Sequence, residues 1–452
     1  MNSQRRGWLV VALYLATLIT AIESTIVVTA THAIAIGLGE RRVTSLLFAT
    51  YLFASALVTP IAGHLSDAWG KKRLFQGGLL LFLIGTVACG LAQNGGVLLS
   101  ARVVQGAGAG AIMPMVFALI GECFSLQARG RLMGLNNSAW GLASLVAPLL
   151  GGLILQRFSW HWLFFLNVPL IVLVLDIIQF AYQDPQPAQA MDTQVLRQFA
   201  GLTLGLFVLL SGVQGLGTQP LTGLLLIGLG LGGLVWFART QQRQAHAVMP
   251  VALLHHPAFR QYTSCILLIN GALIGFQVYL PLWVQTERHL TATAAGLALL
   301  PSSLLFILSA AVATQLAARV GRLPLLRASL RLGLGVFLLL SMLPPSTPYW
   351  ALLALSSVLG FSLGTGVTIS VIEAQRFADA TNLGTVSGFI TLCRTLGQSF
   401  MITSLGVLAT LMVNRTHTTI AGYHLVFLAT AGLFVFLLLY LRRGKPTPPS
   451  RS

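Results

Sequence analysis

The chain has 452 residues, of which 56% are hydrophobic and only 8% charged, with a mean hydropathy of +0.82. A water-soluble fold cannot hide that much apolar surface, and in hydrocarbon only hydrogen-bond-complete helices or closed barrels span. The formal net charge of +17 alone would suit a nucleic-acid binder, so the position of the cations has to decide.

Apolar runs near span length recur from end to end without the two-residue alternation of a barrel strand, which predicts helices. In chain order they lie at roughly 8–35, 43–65, 74–93, 97–121, 131–155, 160–181, 196–214, 220–238, 260–286, 292–318, 325–343, 348–372, 383–412 and 419–441. If the N-terminus is cytoplasmic, the inner loops collect most of the 27 lysines and arginines, including Lys71, Lys72, Arg73, Arg129, Arg131 and Arg322. Only Arg41, Arg42, Arg157, Arg288 and Arg415 fall outside. This bias puts both termini in the cytoplasm, explains the basic balance as topology and leaves no role for nucleic acid. The first run holds an acid and is too long for a signal-peptide core, so it is read as a retained helix. Cys89, Cys123, Cys265 and Cys393 are scattered singly and read as packing residues; no metal site is expected.

Span one carries Glu23 about fifteen residues in, roughly 22 Å from its cytoplasmic end, and Thr20 lies one turn away on the same face. A carboxylate at that depth binds either a proton or a cationic ligand, which is antiport by competition. Between spans two and three lies the polar loop Gly63-His64-Leu65-Ser66-Asp67-Ala68-Trp69-Gly70-Lys71-Lys72-Arg73. Span four contains Arg102-Val103-Val104-Gln105-Gly106-Ala107-Gly108-Ala109-Gly110. A guanidinium there is costly unless it faces a bundle interior or cavity, or snorkels to the outer surface, and the glycines allow tight packing beside it. Span five contains Gly141-Leu142-Ala143-Ser144-Leu145-Val146-Ala147-Pro148-Leu149-Leu150-Gly151-Gly152.

Glu122, Asp176 and Glu373 stand near cytoplasmic helix ends, and Asp176 and Glu373 are the reserve candidates for proton coupling. Two polar linkers, Tyr182–Gln194 and Thr240–Pro257, flank spans seven and eight. The expected division is therefore residues 1–181, a linker-and-hairpin region 182–258, and residues 259–452. The segment from Thr314 to Arg322 faintly echoes Gly63–Arg73, with Ala318 where the first copy has Asp67. In span thirteen Arg394 is the deep cation of the second half, either a partner for Glu23 or a site for an anionic substrate group. Tyr51, Trp140, Phe276 and Tyr279 are candidate cavity lining for flat apolar ligands. No phosphate-binding loop of the ATPase kind is present, so an ion gradient supplies the energy; the single deep carboxylate favours protons over sodium.

The Gly63–Arg73 loop resembles the signature of the major facilitator superfamily, with Asp67 expected to meet a helix N-terminus or Arg129 and Arg131. Gly70, Lys71, Lys72 and Arg73 complete that signature. The Arg102–Gly110 segment is similar to a second element of the superfamily that includes Gln105 and Gly106. The Pro148, Gly151 and Gly152 segment is similar to its antiporter element, with Ala147 in place of a glycine. Ile22-Glu23-Ser24-Thr25-Ile26-Val27-Val28 resembles the first-span element of the fourteen-span drug:proton antiporters, with glutamate for aspartate.

The resemblance implies an all-α membrane protein with the major facilitator fold: two six-helix bundles plus an inserted two-helix hairpin, fourteen transmembrane helices in all. It further implies a monomer in a bacterial inner membrane that exports hydrophobic, often cationic, compounds in exchange for protons, with no cofactor. The rivals are a carrier dedicated to one metabolite, anionic or otherwise, and a non-transporting receptor or membrane enzyme.

Overall fold

A computed structural model describes residues 3–39, 43–124, 126–184, 193–216, 219–241, 251–377 and 383–443. Among these residues the regular structure is entirely helical. The helices of the first half are α1 (Ser3–Leu38), α2 (Val43–Trp69), α3 (Lys71–Gly90), α4 (Gly95–Cys123), α5 (Leu126–Arg157), α6 (Trp162–Phe165) and α7 (Val168–Ala181). Then come α8 (Thr193–Gly215), α9 (Pro220–Gln241), α10 (Val251–Leu254), α11 (Pro257–Thr286), α12 (Ala292–Leu297) and α13 (Leu300–Val320). The chain closes with α14 (Arg322–Leu340), α15 (Tyr349–Gln375), α16 (Leu383–Thr416) and α17 (Thr419–Arg443). Among the described residues ten helices are long and apolar enough to cross a membrane, or eleven if a bent pair within 293–320 is one span.

Local chemistry sets the ends. Asn94 caps α4, its side-chain oxygen accepting from the Val97 N–H at 2.9 Å. Pro169, Pro257 and Pro301 stand in the first turns of α7, α11 and α13, where the missing N–H has no intrahelical partner to lose. The expected polar loop at Gly63–Arg73 is instead helical through Trp69, and α3 resumes at Lys71. A helix keeps its backbone hydrogen bonds whichever polar side chains it carries, so only Gly70, at φ 88°, interrupts it. Spans six and ten, expected continuous, are each split, at Leu166–Asn167 and at Ala298–Leu299. The first linker is described only at Tyr182–Asp184 before α8 starts at Thr193, and α10 forms inside the second. Residues 185–192 and 242–250 lie outside the described residues.

By contacts the chain divides into unit 1 (Met1–Asp192 and Leu290–Leu297) and unit 2 (Thr193–His289 and Ala298–Ser452). In unit 1, α2, α3 and α4 pack on one another, while α1 packs chiefly on α5 and α7. Glycines let α4 do this: a Cβ at Gly106 or Gly110 would collide with the backbone oxygens of Tyr51 and Ser55 on α2. In unit 2, α15 uses Gly360 and Gly364 in the same way against Ser302 and Phe306 on α13. The α8–α9 hairpin closes on itself, and α8 touches α16.

Candidate functional site

Helices α1 to α4 of unit 1, with the break between α6 and α7, bring a charged cluster into a mostly apolar interior. Helix α1 supplies Glu23 and α4 supplies Arg102 and Gln105, three residues apart and so on one face. Asn167 comes from the break between α6 and α7, and Tyr51 and the Leu47 carbonyl come from α2. Glu23 and Arg102 are both 0% exposed and pair at 2.7 Å, Nη1 to Oε1. The other carboxylate oxygen accepts from Asn167 Nδ2 at 2.7 Å. Arg102 Nη1 also donates to Gln105 Oε1 at 2.5 Å, and its Nε to the Leu47 carbonyl at 3.2 Å. Gln105 in turn donates to Thr86 Oγ1 at 2.8 Å, and the guanidinium carbon lies 4.3 Å from the Tyr51 ring centroid.

The inventory does not quite close. Arg102 Nη2 and Asn167 Oδ1 are buried with no hydrogen-bond partner, so the pair has unused donor and acceptor capacity. Arg102 thus faces the interior rather than snorkelling outward, and Glu23 is paired by the cation of its own half, not by Arg394.

Residues 13–402 match the family model described as Major Facilitator Superfamily. The chain belongs to that superfamily. It is 30% identical over 426 residues to an MFS-type transporter of Mycobacterium tuberculosis, covering 92% of this chain and 61% of that protein. It thus spans under two thirds of the length of that relative. The multidrug transporter protein MdtP of Bacillus subtilis is 26% identical over 408 residues, covering 90% of this chain and 75% of MdtP. The multidrug efflux pump SdrM of Staphylococcus aureus is 28% identical over 406 residues, covering 88% and 89%. A bacterial homologue of the human lysosomal transporter Spinster superposes with a TM-score of 0.72 over the whole of both chains at 13% identity, a likeness of fold. Members of the superfamily are transporters rather than enzymes, and this one is a multi-pass membrane protein.

The superfamily signature is built around Gly70. The Lys71 ammonium meets Glu122 of α4 at 2.5 Å, and Glu122 also accepts from the Tyr182 hydroxyl at 3.1 Å. Burial, with the Glu122 charge adding to it, raises the Tyr182 phenol above its usual range, so the hydroxyl remains a donor. Asp184 accepts from the Lys72 backbone N–H at 3.1 Å, Lys72 Nζ reaches the Gln179 carbonyl at 2.7 Å, and Arg73 is exposed. In unit 2, Gly321 has φ 86°, and the next residue, Arg322, pairs with Glu373 of α15 at 2.7 Å. The two acid–base pairs have the same sequence separation, 51 residues. The faint echo between Gly63–Arg73 and Thr314–Arg322 is thus repeated in three dimensions.

The remaining expected residues are dispersed. Thr20 turns its hydroxyl to the Ala16 and Thr17 carbonyls and Met113 Sδ, not to Glu23. Trp140 on α5 is 40% exposed, whereas Phe276 and Tyr279 are buried in packing, Tyr279 with its ring 6.4 Å from Tyr423. Asp176 is exposed on α7, and Glu373 is buried and also held by Arg376 at 3.2 Å. Arg394 is exposed on α16 and makes no hydrogen bond or ion pair among the described residues. Gly151 is buried, and Gly152 abuts Thr293 of α12, where a side chain would collide. For Gly63, Asp67, Arg129, Arg131 and Pro148 the description stops at their positions on α2 and α5. Asn167, Thr86, Tyr182 and Asp184 were not anticipated. A polar Asn two residues before Pro169 in an apolar span was the available signal for the first.

Proposed function

We propose that this protein is a proton-coupled exporter of hydrophobic, often cationic, compounds, working by alternating access with Glu23–Arg102 as its proton-sensitive lock. The observation that carries the reading is a fully buried carboxylate held by a guanidinium with one nitrogen to spare. Protonating Glu23 removes the negative partner and leaves Arg102 a buried cation beside Gln105, the Leu47 carbonyl and the Tyr51 ring. That state is expensive, and movement of α1 against α4 relieves it. A cationic substrate reaching ionised Glu23 competes with the proton, and the coupling is reciprocal. The multidrug relatives in Bacillus subtilis and Staphylococcus aureus support the substrate class.

On this reading fourteen spans cross a bacterial inner membrane with both termini cytoplasmic. Helices α2, α5 and α8, at 27, 32 and 23 residues, are long enough to complete the count. The working unit is a monomer, needs no cofactor, and draws on the proton gradient.

The deciding experiment is gradient-driven transport of a cationic dye by purified protein in liposomes, wild type beside Glu23→Gln. Loss of coupled transport with dye binding retained supports the lock; full activity in the variant removes Glu23 from it. A second reading, a carrier for one anionic metabolite, is favoured by Arg394, which is exposed and has no counter-charge among the described residues. Transport that ignores unrelated cations but fails in Arg394→Gln would select it.

A further inference from the structure

We propose that the ends of α14 and α17 nearest Gly321 form a binding site for an anionic glycerophospholipid, its phosphate held by Arg331 and Arg442 and its chains lying on the apolar side chains above them. Helix α14 shows an exposed stripe at Ala328, Arg331, Leu332, Gly335, Leu338 and Leu339, the spacing of one face of a membrane helix. Arg331 interrupts that stripe about 13 Å from the start of the helix. It makes no hydrogen bond or ion pair among the described residues, and an arginine so placed extends toward the polar boundary of the bilayer. The corresponding exposed face of α3 carries only apolar residues at this depth, Leu80, Leu81 and Ile84.

Helix α17 runs antiparallel beside α14, with Phe434 against Gly333 and the Leu441 carbonyl accepting from Arg327 Nη2 at 2.8 Å. Its exposed stripe, Leu428, Val435, Phe436 and Leu439, ends at exposed Arg442. On its other flank Arg260 of α11 donates from Nε to the Tyr440 hydroxyl at 3.1 Å, and Arg327 keeps a buried Nε with no acceptor. Among the described residues four arginines thus stand at this end without a carboxylate beside them. The described acids of unit 2 are engaged elsewhere, Glu373 with Arg322 and Arg376 and Glu287 with Thr419.

Cations at the polar boundary with an apolar face directly above them match an anionic lipid part for part. A soluble anion would use only the first feature. A second copy of the chain would have to bring an exposed acid, and among the described residues Asp176 on α7 is exposed while exposed Glu122 is already paired with Lys71.

The test is native mass spectrometry of the full-length protein in detergent, titrated with palmitoyl-oleoyl phosphatidylglycerol or phosphatidylcholine. Wild type is expected to prefer the anionic phosphatidylglycerol. Arg331→Gln and Arg442→Gln each weaken that binding roughly fivefold, and together roughly 25-fold. Arg331→Lys keeps the preference, and Arg319→Gln, exposed on α13 at the same end, changes it less than about twofold. Each single variant is read independently, so the comparison stands even if the double variant yields no folded protein. Equal binding of both lipids by wild type overturns the proposal. So does an equal loss in Arg319→Gln, displacement by inorganic phosphate, or capture of a dimer that Asp176→Asn abolishes.

Discussion

Replacing Glu23 by Gln keeps the shape of the side chain and one acceptor oxygen but removes the charge that faces Arg102 at 2.7 Å. At that distance, with an effective dielectric constant near 20, the attraction is about 6 kcal/mol, most of it offset by the desolvation of both ions. Deleting one member of a buried pair therefore costs about 3–5 kcal/mol rather than the gross figure. Arg102 retains Gln105, the Leu47 carbonyl and the Tyr51 ring, so Glu23→Gln belongs at the low end, about 3 kcal/mol. Arg102→Gln removes the cation and leaves Glu23 a buried carboxylate held chiefly by Asn167, which costs more, about 4 kcal/mol. The double variant strands no charge and loses about 4 kcal/mol, giving a coupling of about 3 kcal/mol. Reversible unfolding in mixed micelles with rising dodecyl sulfate, followed by tryptophan fluorescence, measures all four corners of the cycle. Single effects that add within about 0.5 kcal/mol would refute the pairing argument.

Three further outcomes follow from local geometry. Gly106→Ala drives a methyl into the Tyr51 carbonyl and costs about 1–3 kcal/mol, whereas Gly121→Ala, on the same helix with open space around it, gains up to about 1 kcal/mol. The same micelle titration separates them. Gly321→Ala costs about 2 kcal/mol for its backbone conformation. Gly70→Ala costs about 1 kcal/mol more, because its methyl also displaces Asp184 from the start of α3. Asp184→Ala costs about 1 kcal/mol and speeds amide exchange in the first turn of α3 while leaving the first turn of α14 unchanged, which hydrogen-exchange mass spectrometry reads directly.

Long apolar runs announce helices because every backbone group must be satisfied within its own segment, so most spans were legible to within a few residues. Their ends were less so. Gly63–Trp69 looks like a loop by polarity, yet a helix tolerates polar side chains at a membrane surface, and only the glycine that follows forces a break. The burial of Glu23 was readable from its depth, since a mid-span acid has to find partners inside the bundle. Its partner was not: Arg102 and Arg394 are both deep cations, and only the packing of α1 beside α4 distinguishes them. Asn167, separated from Glu23 by 144 residues, is likewise invisible without the fold.

The contacts of α4 give the buried ion pair a mechanical meaning. With the α4 backbone pressed against α2 and α3 at glycines, those three helices have no clearance to slide past one another and behave as a single block. Helices α1, α5 and α7 form the neighbouring layer, and the ion pair lies on the seam: Glu23 and Asn167 come from one side, Arg102, Gln105 and Tyr51 from the other. The pair holds the two layers as a rivet holds two plates, and on the proposed function a single proton on one carboxylate oxygen is what draws it.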